Sequence, residues 1–354
     1  MNKKIFFLLP TLAAGGAERV TITIARILHK NGHDVEFINL GRAEGEMKSW
    51  IEPEFKMVSF GCKRVLAALP KLFWFMIHTP NSMYFSSLEH VSVVGILSAM
   101  LSKRPIVVRV PNMPRNKLVK GFLGVKTRVI KILNQWLLSR AKRIIAQNAE
   151  MRNQLLDYYK LPEDKVIAIY NPVDKDFVLA SAAGTKSPYQ DGEIHFLSVC
   201  NVAYSKGIDV LEAAWPKVKS IIPNAHIYIV GRHHSDYAQP LVEKAKNLDS
   251  FTFLGFKENP YPYLKHCDCF VLPSRMEGFP NVLLEAMCFN RPIATTTCVE
   301  VIKEIIQDGK NGYCCDIEDP DALAKCMIGA VQLHDINNQY NLFNQEKLLE
   351  IFKE

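Results

Sequence analysis

The stretch LPSRMEGFPNVLLEAM, residues 272–287, gives the clearest indication of how this chain folds. Residues 269–272 are predicted to form a buried strand, and residues 273–279 a loop, because serine and glycine interrupt the apolar pattern there. Proline suits the first position of a helix, so the apolar run after Pro280 predicts a helix that ends at Asn290. A strand, a glycine-containing loop and a helix N-terminus in succession predict an anion site.

Two glutamates flank the predicted anion site. Glu285 lies about one turn inside the helix, and helical side chains lean toward the helix N-terminus, so its carboxylate can reach a hydroxyl beside a bound anion. Glu277 lies on the loop, on the other side of that anion. A sugar nucleotide offers phosphates to the amides and hydroxyls to the carboxylates. Taken singly, each glutamate would also suit a capping or solvated position.

The string EGFPNVLLEA, residues 277–286, closely resembles the signature of family-four glycosyltransferases. Members of that family are retaining, metal-independent enzymes with the GT-B fold. The resemblance implies that Glu285 binds the ribose of the donor nucleotide. It implies that Glu277 is a catalytic residue that contacts the transferred sugar. It also implies that diphosphate and sugar are held by the backbone amides of one short stretch: Gly278, Phe279, Pro280 and Asn281.

A second loop, NVAYSKG over residues 201–207, follows a predicted strand and precedes a predicted helix. Lys206 is predicted to act in catalysis, because it would place a cation where a leaving diphosphate develops charge. The family normally has arginine where this chain has Asn201, which is counted among the donor-binding residues. Arg275 and Arg232 are the candidate replacements for that missing cation.

Two further places in the sequence resemble donor-binding elements of the family. Residues 255–257 end a predicted strand where the family stacks and hydrogen-bonds the nucleobase, so Phe256 and Lys257 are predicted to bind the donor; Phe256 would equally suit the core. The loop GGAER, residues 15–19, is similar to the family's first glycine-rich loop. There the amide of Gly16 is expected to face the donor.

The acceptor is expected to meet the first half of the chain. Gly15, Arg109 and Asn112 are the predicted polar groups on that side. Many relatives carry a histidine in the loop after Val108, and this chain has none there. Its absence leaves the acceptor side less well defined by the sequence than the donor side.

No metal or cofactor is expected. Residues 174–176 have the form Asp-x-Asp, but they follow a proline turn and have no supporting ligands, so turn chemistry is the favoured interpretation. The nine cysteines are scattered without metal-finger spacing and are predicted to be reduced.

The alternation of strands and helices predicts an α/β chain. A strand at residues 4–9, a helix at 17–30 and a strand at 35–40 form a βαβ unit, which implies a parallel sheet. Alternation resumes after the polar stretch 181–193, which is the predicted linker. The predicted fold is therefore GT-B, with two doubly wound Rossmann-like domains facing a cleft. The predicted boundaries are 1–180 for the acceptor-binding domain, 181–335 for the nucleotide-sugar domain, and 336–354 for a C-terminal helix packing back on the first domain.

Charge separates the two halves. Residues 1–180 hold 27 Lys and Arg against 14 Asp and Glu, a net charge of +13, whereas residues 181–354 hold 16 against 22, a net charge of −6. Residues 91–149 contain twelve basic residues and no acidic one, interleaved with apolar residues. This pattern predicts docking on the anionic inner leaflet, with shallow insertion or a core helix as alternatives for residues 65–75. Nucleic acid is not expected, because no nucleic-acid motif accompanies the charge.

The sequence has no evident signal peptide and no apolar run of transmembrane length, so a cytoplasmic, peripheral membrane location is expected. The predicted enzyme moves a sugar from a nucleotide donor, a UDP-sugar, to a lipid-linked saccharide in surface polysaccharide (O-antigen or capsule) biosynthesis. Two alternatives remain open at this point. One is a catalytically inactive partner that binds a sugar nucleotide, and the other is a UDP-sugar epimerase of the same fold.

Overall fold

The computed structural model describes residues 3–13, 15–42, 44–52, 54–114 and 125–353, with the backbone alone for residues 125–131. The chain divides into two units, residues 1–172 with 342–354, and residues 173–341. The centre of the predicted basic stretch, residues 115–124, lies outside the described residues.

The first unit is built on a parallel sheet that has seven strands within the described residues, in the order β3-β2-β1-β4-β5-β6-β7. Phe7, Phe37 and Phe85 meet at its centre, with ring centroids 4.8 to 5.5 Å apart. Most residues of the central strands are apolar and buried because helices cover both faces. The strands are β1 (Lys4–Leu9), β2 (Val35–Asn39), β3 (Met57–Ser59), β4 (Ser82–Ser86), β5 (Ile106–Arg109), β6 (Arg143–Ala146) and β7 (Val166–Ala168).

The helices of the first unit connect these parallel strands. They are α1 (Gly16–Lys30), α2 (Lys48–Ile51), α3 (Leu69–Ile77), α4 (Glu89–Ser102), α5 (Val125–Leu138) and α6 (Ala149–Tyr159), with 3-10 turns at Val65–Ala68 and Glu163–Lys165. A last helix, α14 (Gln345–Lys353), returns to this unit from the far end of the chain. Its Leu348, Ile351 and Phe352 join the same hydrophobic cluster as Phe85.

The second unit repeats the arrangement with six parallel strands among its described residues, in the order β10-β9-β8-β11-β12-β13. The strands are β8 (Ile194–Val199), β9 (Ala225–Val230), β10 (Phe251–Gly255), β11 (Cys269–Leu272), β12 (Ile293–Thr296) and β13 (Gly312–Cys315). The helices are α7 (Lys175–Ser181), α8 (Ile208–Ile221), α9 (Ala238–Ala245), α10 (Tyr261–His266), α11 (Asn281–Met287), α12 (Val301–Ile305) and α13 (Pro320–Ala330).

Two doubly wound parallel sheets confirm the predicted fold class. The domain boundaries differ from the predicted ones. The division falls after Pro172 instead of residue 180, because α7 packs against α10 and so lies in the second unit. The second unit also continues to residue 341 instead of 335. Asn338, which lies beyond the predicted end, donates a hydrogen bond to the Arg291 carbonyl (3.1 Å) within this unit. Strands β3 and β13 were not predicted, because one has three residues and the other contains glycine and two cysteines.

No helix in the described part of the chain is both long and apolar enough to cross a membrane. The nine cysteines are all free thiols.

Glu212 is a buried carboxylate inside the second unit. It lies on α8, and neither of its side-chain oxygens has a hydrogen-bond partner among the described residues. The nearest cation, Lys244 Nζ, lies 3.6 Å from Oε2. Burial, which outweighs the attraction of Lys244, raises the pKa of Glu212 to about 7. The folded state therefore favours the protonated acid.

A raised carboxyl pKa makes stability depend on pH. The contribution of Glu212 is fully present below the unfolded pKa and is lost as the pH rises through about 7. We expect Glu212→Gln to raise the free energy of unfolding at pH 8 by about 1–2 kcal/mol and to flatten its fall between acid and neutral pH. Urea denaturation across this pH range measures both effects. Glu243→Gln, at an exposed carboxylate paired with Lys246, is the matched control and should leave the pH profile unchanged.

Candidate active site

The candidate site lies at the point of the second sheet where the connections change sides. Strands β8 and β11 are neighbours at the centre of that sheet, and the chain leaves them in opposite directions along it. In open parallel sheets, ligands bind beside the carboxyl ends of strands at such a position. The two loops that follow these strands, residues 200–207 and 273–280, carry the predicted residues Lys206 and Glu277.

The two loops touch through their backbones. The Ser205 carbonyl accepts hydrogen bonds from the N–H groups of Arg275 (2.8 Å) and Met276 (3.2 Å). Gly207 has a left-handed conformation (φ +64°), and a Cβ there would lie 2.0 Å from the Pro273 carbonyl oxygen. Only glycine allows so close an approach at that backbone conformation. The loop carrying Lys206 is thus pressed onto the loop carrying Glu277.

Lys206 and Glu277 form an ion pair at the junction of the loops. Lys206 Nζ lies 2.7 Å from Glu277 Oε1, and the Ser274 hydroxyl donates to the same oxygen over 2.7 Å. Burial lowers the pKa of Lys206, but the Glu277 charge and its hydrogen bond outweigh burial, so the pKa is raised overall. Lys206 therefore keeps its positive charge at neutral pH, and Glu277 is held in one orientation by two donors.

Arg275 does not replace the missing cation, because its side chain is already occupied. Its guanidinium donates to Asp209 (2.7 and 2.6 Å) and to both carboxylate oxygens of Glu318. Its Nη1 also donates to the Tyr204 carbonyl (2.8 Å). It lies 4.2 Å from the centre of the Tyr204 ring. The Asp209 and Glu318 carboxylates raise the pKa of Arg275. Arg275 thus holds the turn Tyr204–Lys206, which carries Lys206, against the second loop.

Asn201 and Arg232 meet beside the same edge of the sheet. The Asn201 side-chain oxygen accepts a hydrogen bond from the Arg232 backbone N–H (3.1 Å). The Arg232 guanidinium stacks over the Phe256 ring at 4.1 Å, and both Phe256 and Lys257 are half-buried. The predicted base-binding residues are therefore brought to the carboxyl ends of β8, β9 and β10. The Phe256 side chain is partly exposed to solvent, so Phe256 is not a core residue. Arg232 covers one face of its ring.

The remaining donor-side residues surround the start of α11. Phe279 and Pro280 are buried, Gly278 and Asn281 are half-buried, and the helix begins at Asn281, one residue later than predicted. Glu285 lies one turn inside this helix and is buried. The structure thus places Glu277 on the loop and Glu285 on the helix that follows it, as the spacing predicts.

The predicted acceptor-side residues lie in the first unit, at the carboxyl edge of its sheet. Arg109, at the end of β5, is fully buried and donates to Asn171 (2.7 and 3.2 Å), Ser87 (2.8 Å) and Gln147 (2.6 Å). None of these partners carries a negative charge. Burial lowers the pKa of Arg109 to about 9, which leaves it charged at neutral pH.

A pocket opens above Arg109. It is small, with a cavity volume of about 50 Å³, and is lined mainly by apolar side chains of α4, β5 and α5, with Arg109, Asn112 and Glu89 among its polar residues. Gly15 and Gly16 lie elsewhere on this edge, at the start of α1, where the Glu18 carboxylate folds back to within 2.3 Å of where a Gly15 Cβ would stand.

No metal-binding group of three or more His, Cys, Asp or Glu occurs within the described residues. Asp174, from the Asp-x-Asp sequence, caps α7 by accepting a hydrogen bond from the Phe177 N–H (3.2 Å), as turn chemistry predicts. Sequence reasoning did not identify Ser274, Asp209 or Glu318 as supporting residues. Ser274 adjoins the glutamate motif, whereas nothing in the sequence links Asp209 or Glu318 to Arg275.

Comparisons with known proteins agree with this arrangement. Residues 14–177 match the family described as Glycosyltransferase Family 4, and residues 193–332 match the family described as Glycosyl transferases group 1. A glycosyltransferase of Haemophilus influenzae is 25% identical over 92% of this chain and 89% of its own length. Crystalline Anabaena HepE in complex with UDP-glucose has a TM-score of 0.79 at 17% identity, covering 99% of this chain and 98% of that one.

One relative has a more specific name. A Campylobacter jejuni protein, N-acetylgalactosamine-N,N'-diacetylbacillosaminyl-diphospho-undecaprenol 4-alpha-N-acetylgalactosaminyltransferase, is 22% identical over 91% of this chain and 88% of its own length. With two Rossmann-like sheets and a transferase family match on each, the chain is a GT-B glycosyltransferase. Its first half matches the family-four model and its second half the group-one model, which confirms the predicted transferase activity.

The Arg275 network predicts a positioning role that can be measured. We expect Arg275→Lys, which keeps the charge but loses the bidentate geometry, to lower kcat for sugar transfer about tenfold, because Lys206 would no longer be held in register. Arg291→Lys is the matched control. Arg291 also donates to backbone carbonyls of the second unit, but it precedes β12 and so lies at the opposite edge of the sheet. An equal fall in kcat for both variants would make Arg275 a general stability residue.

Proposed function

We propose that this chain is a retaining glycosyltransferase that moves a sugar from a UDP-sugar to a lipid-linked saccharide in surface polysaccharide biosynthesis, of the O-antigen or capsule type. The observation that carries the proposal is the Lys206–Glu277 pair, fixed by Ser274 at the switch point of the second sheet. It joins a charged ammonium, suited to a diphosphate, with a carboxylate suited to sugar hydroxyls.

Two comparisons support the choice of substrates. HepE, the structural neighbour, is described in complex with UDP-glucose, which favours a UDP-sugar as the donor. The Campylobacter relative is named for transfer onto a saccharide linked to diphospho-undecaprenol, which favours a lipid-linked acceptor. The net positive charge of residues 1–180 agrees with an acceptor that carries phosphate and resides in an anionic membrane.

In the proposed reaction, Glu285 holds the ribose, and the backbone N–H groups of Gly278 and Phe279 hold the diphosphate. Pro280 has no N–H, and the N–H of Asn281 donates to the Phe279 carbonyl (3.0 Å). Glu277 accepts a hydrogen bond from a hydroxyl of the transferred sugar. The acceptor hydroxyl attacks the anomeric carbon on the face that UDP leaves, so the new glycosidic bond forms as the bond to the diphosphate breaks. The acceptor's proton passes to the departing phosphate oxygen. Lys206 stabilises the charge that develops there, because its ammonium is partly desolvated.

The acceptor is assigned to the first unit. The pocket above Arg109 offers apolar walls to the lipid-proximal part of an acceptor, and Asn112 offers a polar group at its edge. The Arg109 charge has only neutral hydrogen-bond partners, so it attracts the anionic part of the acceptor, although the Glu89 carboxylate lines the same pocket.

One observation favours a second candidate, an inactive partner that binds a sugar nucleotide. Asn201 stands where the resembling family normally has arginine, and its side chain is used to hold the Arg232 backbone. Arg275, one of the two candidate substitutes, is engaged by two carboxylates. Such a partner would bind UDP but would not release it from a UDP-sugar.

The donor assignment predicts a separation of binding from turnover. Thermal-shift screening against UDP-, GDP- and ADP-sugars should show stabilisation by the UDP series, because a ligand that binds only the native state raises the midpoint. We expect Glu285→Ala to weaken UDP binding by about 1–3 kcal/mol in calorimetry. Glu277→Ala should lower turnover more than it lowers UDP affinity. Unchanged UDP affinity in Glu285→Ala would remove the ribose role, and UDP binding without turnover in the unmodified chain would favour the inactive partner.

We also propose that transfer needs no divalent metal. The support is the charged Lys206 beside the diphosphate position, which supplies the positive charge that a metal supplies in other transferases. Turnover should be unchanged by EDTA and by later addition of Mn²⁺ or Mg²⁺. Activity lost in EDTA and restored by either ion would contradict this, and Lys206→Ala should abolish activity under both conditions.

A further inference from the structure

The outer face of residues 65–77 is unusually apolar. Leu66, Trp74 and Ile77 are 68%, 60% and 42% exposed. They lie on a 3-10 turn that continues into α3, whose residues Leu72 and Met76 are fully buried. Successive helical residues turn by about 100°, so Trp74 points away from both buried residues. Apolar side chains this exposed, on the side of a helix opposite its packed face, indicate an interaction surface.

The end of α4 extends this surface. The Ser102 hydroxyl donates to the Met76 sulfur at 3.5 Å, so the C-terminal end of α4 adjoins α3. Leu101, the residue before Ser102, is 63% exposed. A fourth exposed apolar side chain thus lies on the element packed against α3.

Five cations lie on or next to the elements that carry these apolar residues. No Asp or Glu occurs between Glu54 and Glu89 in the sequence. Arg104 donates to the Met76 carbonyl (3.0 Å) at the end of α3, and Lys71 donates to the Phe60 carbonyl (2.8 Å). Among the described residues, no carboxylate pairs with any of the five cations on these elements, which are Lys63, Arg64, Lys71, Lys103 and Arg104.

We propose that this surface, defined by Leu66, Trp74, Ile77 and Leu101 with those five cations, docks the chain on an anionic lipid membrane. The apolar side chains would enter the boundary between headgroups and acyl chains, where tryptophan is favoured. The cations would contact the lipid phosphates. A protein partner would also cover apolar side chains, but five cations without a paired carboxylate match an anionic leaflet better. The proposal rests on the proposed function, because it names the surface by which the enzyme meets the leaflet that holds its acceptor.

This surface differs from the one that the sequence favoured. The basic stretch 91–149 was the predicted docking element, and it shares only Leu101, Lys103 and Arg104 with the surface proposed here. Residues 65–75 were predicted to insert shallowly or to form a core helix. The structure shows a packed face, with Leu72 and Met76, and an exposed apolar face, with Trp74, on the one helix.

The test is flotation of the full chain with vesicles of two parts phosphatidylcholine to one part phosphatidylglycerol, and with phosphatidylcholine alone. We expect binding to the anionic vesicles only, weakened by high salt because screening shortens the reach of the charges. The double variant Leu66→Glu with Trp74→Glu should lower the partition coefficient about tenfold or more, because it replaces apolar contacts with charges that the leaflet repels. Both side chains are exposed, so folding should be retained and is checked by circular dichroism.

The matched control is Ile221→Glu with Ile317→Glu, which places the same charges at exposed apolar residues of the second unit. It should float like the unmodified chain. Equal flotation of the Leu66/Trp74 variant and the unmodified chain would overturn the proposal. So would the absence of binding to either vesicle, or binding that ignores lipid charge and salt.

A second measurement separates this proposal from the proposed function. UDP affinity and release of UDP with a short water-soluble acceptor should be the same in the Leu66/Trp74 variant and the unmodified chain. Flotation that depends on Trp74 in a chain without transferase activity would leave the docking surface standing and would refute the proposed function. Sugar transfer by a chain that does not float with vesicles would support the proposed function and would refute the docking surface.

Discussion

The closeness of two loops at the centre of the second sheet determines the geometry of the candidate active site. Gly207 fits against the Pro273 carbonyl only because it has no side chain, and that contact sets the distance between the turn carrying Lys206 and the loop carrying Glu277. The ion pair, the Ser274 hydrogen bond and the Arg275 network all lie around this contact. A Cβ at residue 207 would force the loops apart and would lengthen each of these interactions together.

Arg275 and Arg109, two of the buried arginines, differ in how their positive charge is compensated. Arg275 is neutralised by Asp209 and Glu318, so it acts on the site through geometry and not through its field. Arg109 has only serine, glutamine and asparagine side chains as partners, and its charge is not cancelled by them. Keeping an uncompensated guanidinium buried is unfavourable. A buried charge of this kind agrees with a first unit that handles an anionic acceptor.

Much of this arrangement could be predicted from the sequence because it depends on local pattern. The strand, loop and helix around Glu277 and Glu285 follow from apolar runs and from Pro280, and the parallel sheets follow from the alternation of elements. What could not be predicted depends on distant contacts. Arg275 seemed available to bind phosphate because its partners lie 66 and 43 residues away. The boundary at Pro172 depends on the packing of α7 against α10, which no local signal shows.

Helix α14 affects the order in which the two units can complete their folding during synthesis. The last described residues complete the hydrophobic core of the first unit, although the whole second unit separates them from it along the chain. During synthesis, domains generally fold as they emerge, from the N-terminus onward. Here all residues of the second unit are synthesised before the last residues of the first unit. The sheet that begins with Lys4 can therefore complete its hydrophobic core only when Leu348, Ile351 and Phe352 have been added. Until then, the surface that these three side chains cover, which includes Phe85, stays open to chaperones and proteases.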